Sequence, residues 1–220
     1  MNGIISKSIN DILSPMIIGF VLKVGLGSIA LWIILLSFFW DFYSIFVEAI
    51  IAKIPFIGDW EWIQTSGTLI LSFILGYMLI IITISLFTSL YSEPILIKLA
   101  KKHYPDVEVI GTPSITKSLI LTIKASFLFL GLFLISIPLL FIPIIGQLWM
   151  LWLWSILIKE PTAYDVGALF INDSNLLKEK QKNSRLISIL ASLFNYIPIL
   201  NIFAPIFAQI LFLHSLLKDR

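Results

Sequence analysis

Gly67–Tyr91 contains no charged residue and no proline. At 1.5 Å per residue, a helix of that stretch reaches about 38 Å, more than the roughly 30 Å hydrocarbon layer of a bilayer. Few core helices of soluble domains need so long an uncharged run, so lipid is the solvent that this segment fits. Pro15–Trp40 is a second such run, interrupted only by Lys23. The rest of the chain agrees: 59% of its 220 residues are hydrophobic and 13% charged, against about half and a quarter in soluble domains. The expected class is an all-α integral membrane protein, a single membrane-embedded domain over residues 1–220. Pro15–Trp40 exceeds a signal-peptide core and no convincing A-x-A site follows, so it reads as a retained first span.

Two further apolar regions are broken at their midpoints. Residues 125–158 contain Pro138, Pro143 and Gly146; residues 186–217 contain Asn195, Pro198, Asn201 and Pro205. Basic residues decide how these regions lie. The connection 41–66 has only Lys53 against Asp41, Glu48, Asp59 and Glu61. The connection 92–124 has Lys98, Lys101, Lys102, Lys117 and Lys124, and 159–185 has Lys159, Lys178, Lys180, Lys182 and Arg185. The positive-inside rule therefore puts 41–66 outside and the remaining connections, with both termini, in the cytoplasm. Spans 15–40 and 67–91 then form an in–out–in hairpin in the cytoplasmic (inner) membrane. Each broken region has both flanks on one side, and is expected to dip in and return as a re-entrant, hemi-penetrating hairpin whose tip must be covered by protein or water.

At such tips a helix begins, and its free N–H groups and positive end can face an anion. Asn201 is a candidate N-cap, with Pro205 alternatively at the start of the next helix; Asn195 shares that tip. Lys23, costly inside a spanning helix, is either a site residue or a side chain that snorkels to the interface. Ser85, Thr88, Ser89 and Ser92 fall on one helical face, which suits helix packing or a polar path. Tyr91–Tyr104 reads as an amphipathic interfacial helix, and "GTPSITK" as its exit, with Thr112 capping a climbing helix.

Catalytic signatures are missing from the sequence. His103 and His214 are the only histidines, and there is no cysteine, H-E-x-x-H, G-x-S-x-G or phosphate-binding glycine loop. Glu160 and Asp165 in "KEPTAYD" read as a solvated connection rather than an acid–base pair. No cofactor or metal is expected, and a net charge of +2 gives no basis for nucleic-acid binding. The expected partners are the bilayer and a small anion, with a homo-oligomer covering hairpins that stop at mid-membrane.

Several stretches resemble one family. "SEPILIKLAKKHYPD" (92–106) is similar to its Pro-containing amphipathic helix. "IPIIGQLWMLW" (142–152) resembles its Pro-Gly-x-Gly turn, with Ile144 where the first glycine often stands, and "KEPTAYD" (159–165) lies at its Tyr/Asp-rich connection. "SLFNYIPILNIFAPIFA" (192–208) is the nearest match, to a Ser-Leu-Phe-x-x-Ile-Pro-Leu-Leu-Asn-Leu-Phe-x-x-Pro element. These features resemble the CysZ-like sulfate permeases, which share a domain with the etoposide-induced proteins. The resemblance implies two long spans, two hemi-penetrating hairpins and sulfate uptake. In those permeases a Pro-Gly-x-Arg-Arg-Phe-Val-like stretch enters the first span and its arginines are associated with sulfate. Here "PMIIGFV" (15–21) places Ile18 and Gly19 at the arginine positions. Lys23, one turn beyond Gly19, is the candidate substitute. A non-transporting membrane scaffold is the alternative reading.

Overall fold

A computed structural model of the chain describes residues 2–51, 61–140, 142–197 and 199–218. Among them there is no strand. The helices are α1 (Asn2–Ile12), α2 (Pro15–Ile51), α3 (Glu61–Tyr91), α4 (Glu93–His103), α5 (Ile115–Leu140), α6 (Ile145–Phe170), α7 (Ser174–Asn183), α8 (Arg185–Ser192) and α9 (Ala204–Leu217), with 3₁₀ turns at Leu193–Tyr196 and Leu200–Phe203. Pro15–Ala49, Ser66–Tyr91, Ile115–Phe133 and Leu200–Leu217 are long and apolar enough to cross a membrane.

Contacts divide the chain into two units, residues 20–88 and residues 1–19 with 89–220. The first unit is the hairpin of α2 and α3. Both helices run further than the apolar runs alone predict, α2 to Ile51 and α3 from Glu61, so the polar connection expected over 41–66 is largely helical. Its remaining residues, Lys53, Asp59 and Trp60 among them, lie outside the described residues. Helix α2 bends at Phe39, whose φ of −117° and ψ of 23° are non-helical. Long side chains bridge the pair. Trp32 Nε1–H donates to Thr83 Oγ1 at 2.8 Å and Tyr43 O–H to the Ser72 carbonyl at 2.6 Å. Beside these bridges an apolar groove of about 520 Å³ is lined by Leu35, Phe39, Phe42, Leu75, Met78 and neighbours. Phe38, Phe42 and Phe73 point outward, as suits helices solvated by acyl chains.

The second unit is centred on α6 and α9. Helix α9 is apolar on every side, and Phe207, Ile210, Leu211, Phe212, Leu213 and Leu217 are all buried, as a helix enclosed by others requires. It packs against α1, α4, α6 and α8, while α5 pairs with α6 through Ala125, Phe129 and Phe133 against Leu153 and Ile156. Helix α4 is the expected amphipathic segment: Leu96, Leu99 and Ala100 are buried, Lys98, Lys101 and Lys102 exposed. Three expectations need adjustment. Helix α5 starts at Ile115, where Ser114 takes the capping place expected of Thr112. Helix α9 starts at Ala204 after Phe203, with Pro205 in its first turn, so Asn201 does not cap it. And "KEPTAYD" is no solvated connection: α6 runs through it to Phe170, with Pro161, Ala163 and Tyr164 buried. Packing of α7 and α9 on that end of α6, where Leu177 and Leu216 close over Gly167, outweighs the breaking tendency of Pro161.

Each broken apolar region contains a reversal. The arms of the first, α5 and α6, have 26 residues each, about 39 Å. This is longer than the expected half-crossings, because both helices continue into polar sequence. The second has short arms, α8 and the 3₁₀ turns leading into α9. At the first tip, Ile144 has φ 66° and ψ −54°, and the Ile145 N–H donates to the Pro143 carbonyl at 2.7 Å. Ile199, at the second, has φ 71° and ψ −46°. These values match the rarer and more strained γ-turn.

Candidate functional site

The residues singled out from sequence are divided between the two units. Lys23 is an exposed side chain on α2, and Ser85 is exposed on α3. Ser89 is also exposed, whereas Thr88 and Ser92 of the same hydroxyl set are buried. Gly19 is half-buried, with open space where a Cβ would stand. Asn195 and Asn201 are half-buried and do share one tip, on consecutive 3₁₀ turns. That tip is tied to the other by Tyr196 O–H, which donates to the Gln147 carbonyl at 2.8 Å, and is closed on itself where Phe194 stacks on Phe207 at 3.9 Å between ring centroids. The first turn of α6 and the second hairpin are thereby held side by side.

Two polar clusters emerge that sequence reasoning missed. The first joins α1, α4 and α9. Asp11 is 1% exposed. His214 Nε2–H donates to its Oδ2 at 2.8 Å, His103 Nε2–H straddles Oδ1 at 2.9 Å and Oδ2 at 2.8 Å, and the Lys102 ammonium donates to Oδ1 at 3.1 Å. With Nε2 of His214 committed as donor, its Nδ1 accepts from Tyr104 O–H at 3.1 Å, which fixes the tautomer. Lys7 sits over the Tyr104 ring, 5.1 Å from its centroid. Burial raises the Asp11 pKa, but the hydrogen bonds from His103, His214 and Lys102 outweigh it and leave the carboxyl below its ordinary value. Burial and the Asp11 charge push Tyr104 up.

The ligand atoms of Asp11, His103 and His214 lie within 4.8 Å of one another, and two imidazoles with a carboxylate could hold a divalent cation. Lys102 competes for that carboxylate, however, and the hydrogen-bond assignment already satisfies the three side chains. The cluster acts as a charge-assisted bolt across three helices.

The second cluster lies on α6. Trp152, Ser155 and Lys159 fall at i, i+3 and i+7, within about 60° of one helical face. Arg185, the first residue of α8, reaches across. Its Nη1–H donates to Ser155 Oγ at 3.2 Å, and its guanidinium lies 5.3 Å from the Trp152 ring centroid. Ser155 is fully buried, and its own hydroxyl proton goes to the Trp152 carbonyl at 2.6 Å. Burial pulls the Lys159 pKa down, aided by Arg185 and Lys182 and opposed by Glu160. Glu160 and Asp165, five residues apart, face different sides of α6 and form no pair. Glu160 is exposed. Asp165 Oδ1 is enclosed without a partner, and burial raises this carboxyl against a hydrogen bond from Ser118.

Against known families, residues 4–205 match the model described as sulfate transporter CysZ/etoposide-induced protein 2.4. The chain belongs to this family. The CysZ/etoposide-induced match spans Asp11, His103, Lys159, Arg185 and both tips, and ends before His214. Membership in the CysZ family and the long apolar helices make this a multi-pass membrane protein of a transporter family. Comparison with curated proteins and with solved structures returned no match.

Proposed function

We propose that this chain moves a small inorganic anion, sulfate being the first candidate, across the cytoplasmic membrane. The observation that carries the reading is the match to the sulfate transporter CysZ/etoposide-induced protein 2.4 family over residues 4–205. The single membrane-embedded domain, the re-entrant course of 125–158 and 186–217, the cytoplasmic termini and a homo-oligomer covering the tips belong to the same proposal. Exchange of hydration water for fixed donors is the physical requirement for passing such an ion. Sulfate needs several N–H donors at once, and helix N-termini and basic side chains supply them. Lys23, on a helix long enough to span, is the proposed replacement for the family's arginines; Gly19, Asn195, Asn201, Ser85 and Ser89 are proposed anion-binding or pathway residues, each within its own unit.

Radiolabelled sulfate uptake into proteoliposomes tests the reading. Flux above empty vesicles that sulfate itself competes away is expected; no flux at any pH removes it. Lys23→Ala should lower that flux about tenfold, the loss of one charge-assisted contact, and unchanged flux would remove Lys23 from the path. One observation favours a second reading, a scaffold without transport: Ile18 and Gly19 stand where the family's arginines are expected. A scaffold would show neither flux nor any anion-dependent thermal shift.

A further inference from the structure

We infer that the α6–α8 face carries a tetrahedral oxyanion site, in which Arg185 and Lys159 bind the ligand and Ser155 positions Arg185. The inference rests on the anion reading above for its choice of ligand, and it names a place on this chain that the family match does not.

Among the described residues neither cation has an ion-pair partner: every ion pair there ends on Asp11, so no described carboxylate lies within 4.0 Å of Arg185 or Lys159. Both side chains are nonetheless half-buried. Charges withdrawn from water are ordinarily paired; two like charges withdrawn together make an opposite charge the natural third member. Burial first, and then the neighbouring Arg185 charge, hold the Lys159 ammonium below its ordinary pKa, against the opposing pull of Glu160.

The guanidinium is also held in place. Trp152 covers one face and Ser155 occupies one of its five N–H donors. Ser155 can only accept there, because its proton is spent on the Trp152 carbonyl. It therefore fixes the orientation of Arg185 and donates nothing to a ligand. What remains is a guanidinium edge with Lys159 on the same α6 face, a fork and a point charge suited to oxygens of sulfate or phosphate. A lipid headgroup phosphate offers the same oxygens, so the experiment separates the two sources.

The full chain in phosphate-free maltoside detergent is titrated with sodium sulfate by calorimetry, against sodium chloride at equal ionic strength. Saturable sulfate binding is expected, weakened at least tenfold in Arg185→Gln and in Lys159→Gln. Ser155→Ala, which keeps both charges, should give an intermediate loss, and Arg185→Lys guards against misfolding by retaining the cation. In parallel, the protein is placed in nanodiscs of phosphatidylcholine with or without phosphatidylglycerol. If the lipid is the occupant, phosphatidylglycerol suppresses sulfate binding and is retained in native mass spectra by wild type but not by Arg185→Gln. Equal binding of both probes by wild type and the Arg185→Gln/Lys159→Gln double variant overturns the site. Sulfate binding that survives while proteoliposome flux is absent sinks the transport reading and leaves this one standing.

Discussion

Ile144 and Ile199 hold backbone angles that a β-branched side chain tolerates poorly, and both side chains are exposed. Strain of this kind costs about 1–3 kcal/mol, and Ile144 stands where the resembling family has glycine. Ile144→Gly should therefore raise thermal stability in detergent by about 1 kcal/mol after glycine's own entropy cost; a lowered melting temperature would contradict the strain argument. Two carboxylates make opposite predictions with pH. Asp11 is held below its ordinary pKa of 3.8, so its stabilisation is complete above that value and is lost as pH falls through the lower folded one. Asp11→Asn should cost about 3 kcal/mol at neutral pH, since it removes the charge and replaces one of the two acceptor oxygens shared by His103, His214 and Lys102 with a donor, a loss measurable by thermal unfolding. Asp165 is raised, so it destabilises at neutral pH, and the penalty fades as pH falls toward and below its folded pKa. Asp165→Asn should gain about 1 kcal/mol at pH 7 and nothing at acid pH; equal gains at both would exclude the charge as the cause.

Among the elements, the α2–α3 pair is joined at Thr83, which serves as both acceptor from Trp32 and donor to the Leu79 carbonyl. Thr83→Val should cost about 0.6–1 kcal/mol, the usual worth of a hydrogen bond between membrane helices, with a blue shift of tryptophan emission as the second readout. The long apolar runs announced α2 and α3, and the i, i+1, i+4, i+5 spacing of Ile95, Leu96, Leu99 and Ala100 announced α4, because local pattern suffices for both. Helix α1 was not legible: "NGIISKSINDI" becomes meaningful only when α9 covers Ser8 and Asp11. The C-terminal half of α6 was misread because Pro161 and four ionisable residues look solvated in isolation. Arg185 appeared only as one of five inside-facing basic residues, since nothing local reports that it lies over Trp152.

At the scale of the molecule, the hairpin course of the broken regions can be tested directly because the chain has no cysteine. Single thiols introduced at Ile144 and Leu200 should resist a membrane-impermeant reagent applied from the periplasm, while one in 41–66 reacts. Equal reactivity would show that these tips reach the far side, and would turn α5 and α6 into full crossings, for which their length is sufficient. The wide apolar exposure of α2, α3 and α5 predicts that the protein needs detergent or lipid throughout purification.

The bolt at Asp11 links the second residue from the end of α1 to a histidine 203 positions later. At about 5–20 residues per second, ribosomal synthesis delivers that histidine roughly 10–40 s after the aspartate. Lys102 and His103 emerge about midway through that interval, so Asp11 gains its first partners well before His214 completes the set. Any chain that stops before α9 keeps Asp11 without its buried His214 partner, a local flaw by which membrane quality control can distinguish unfinished copies from finished ones.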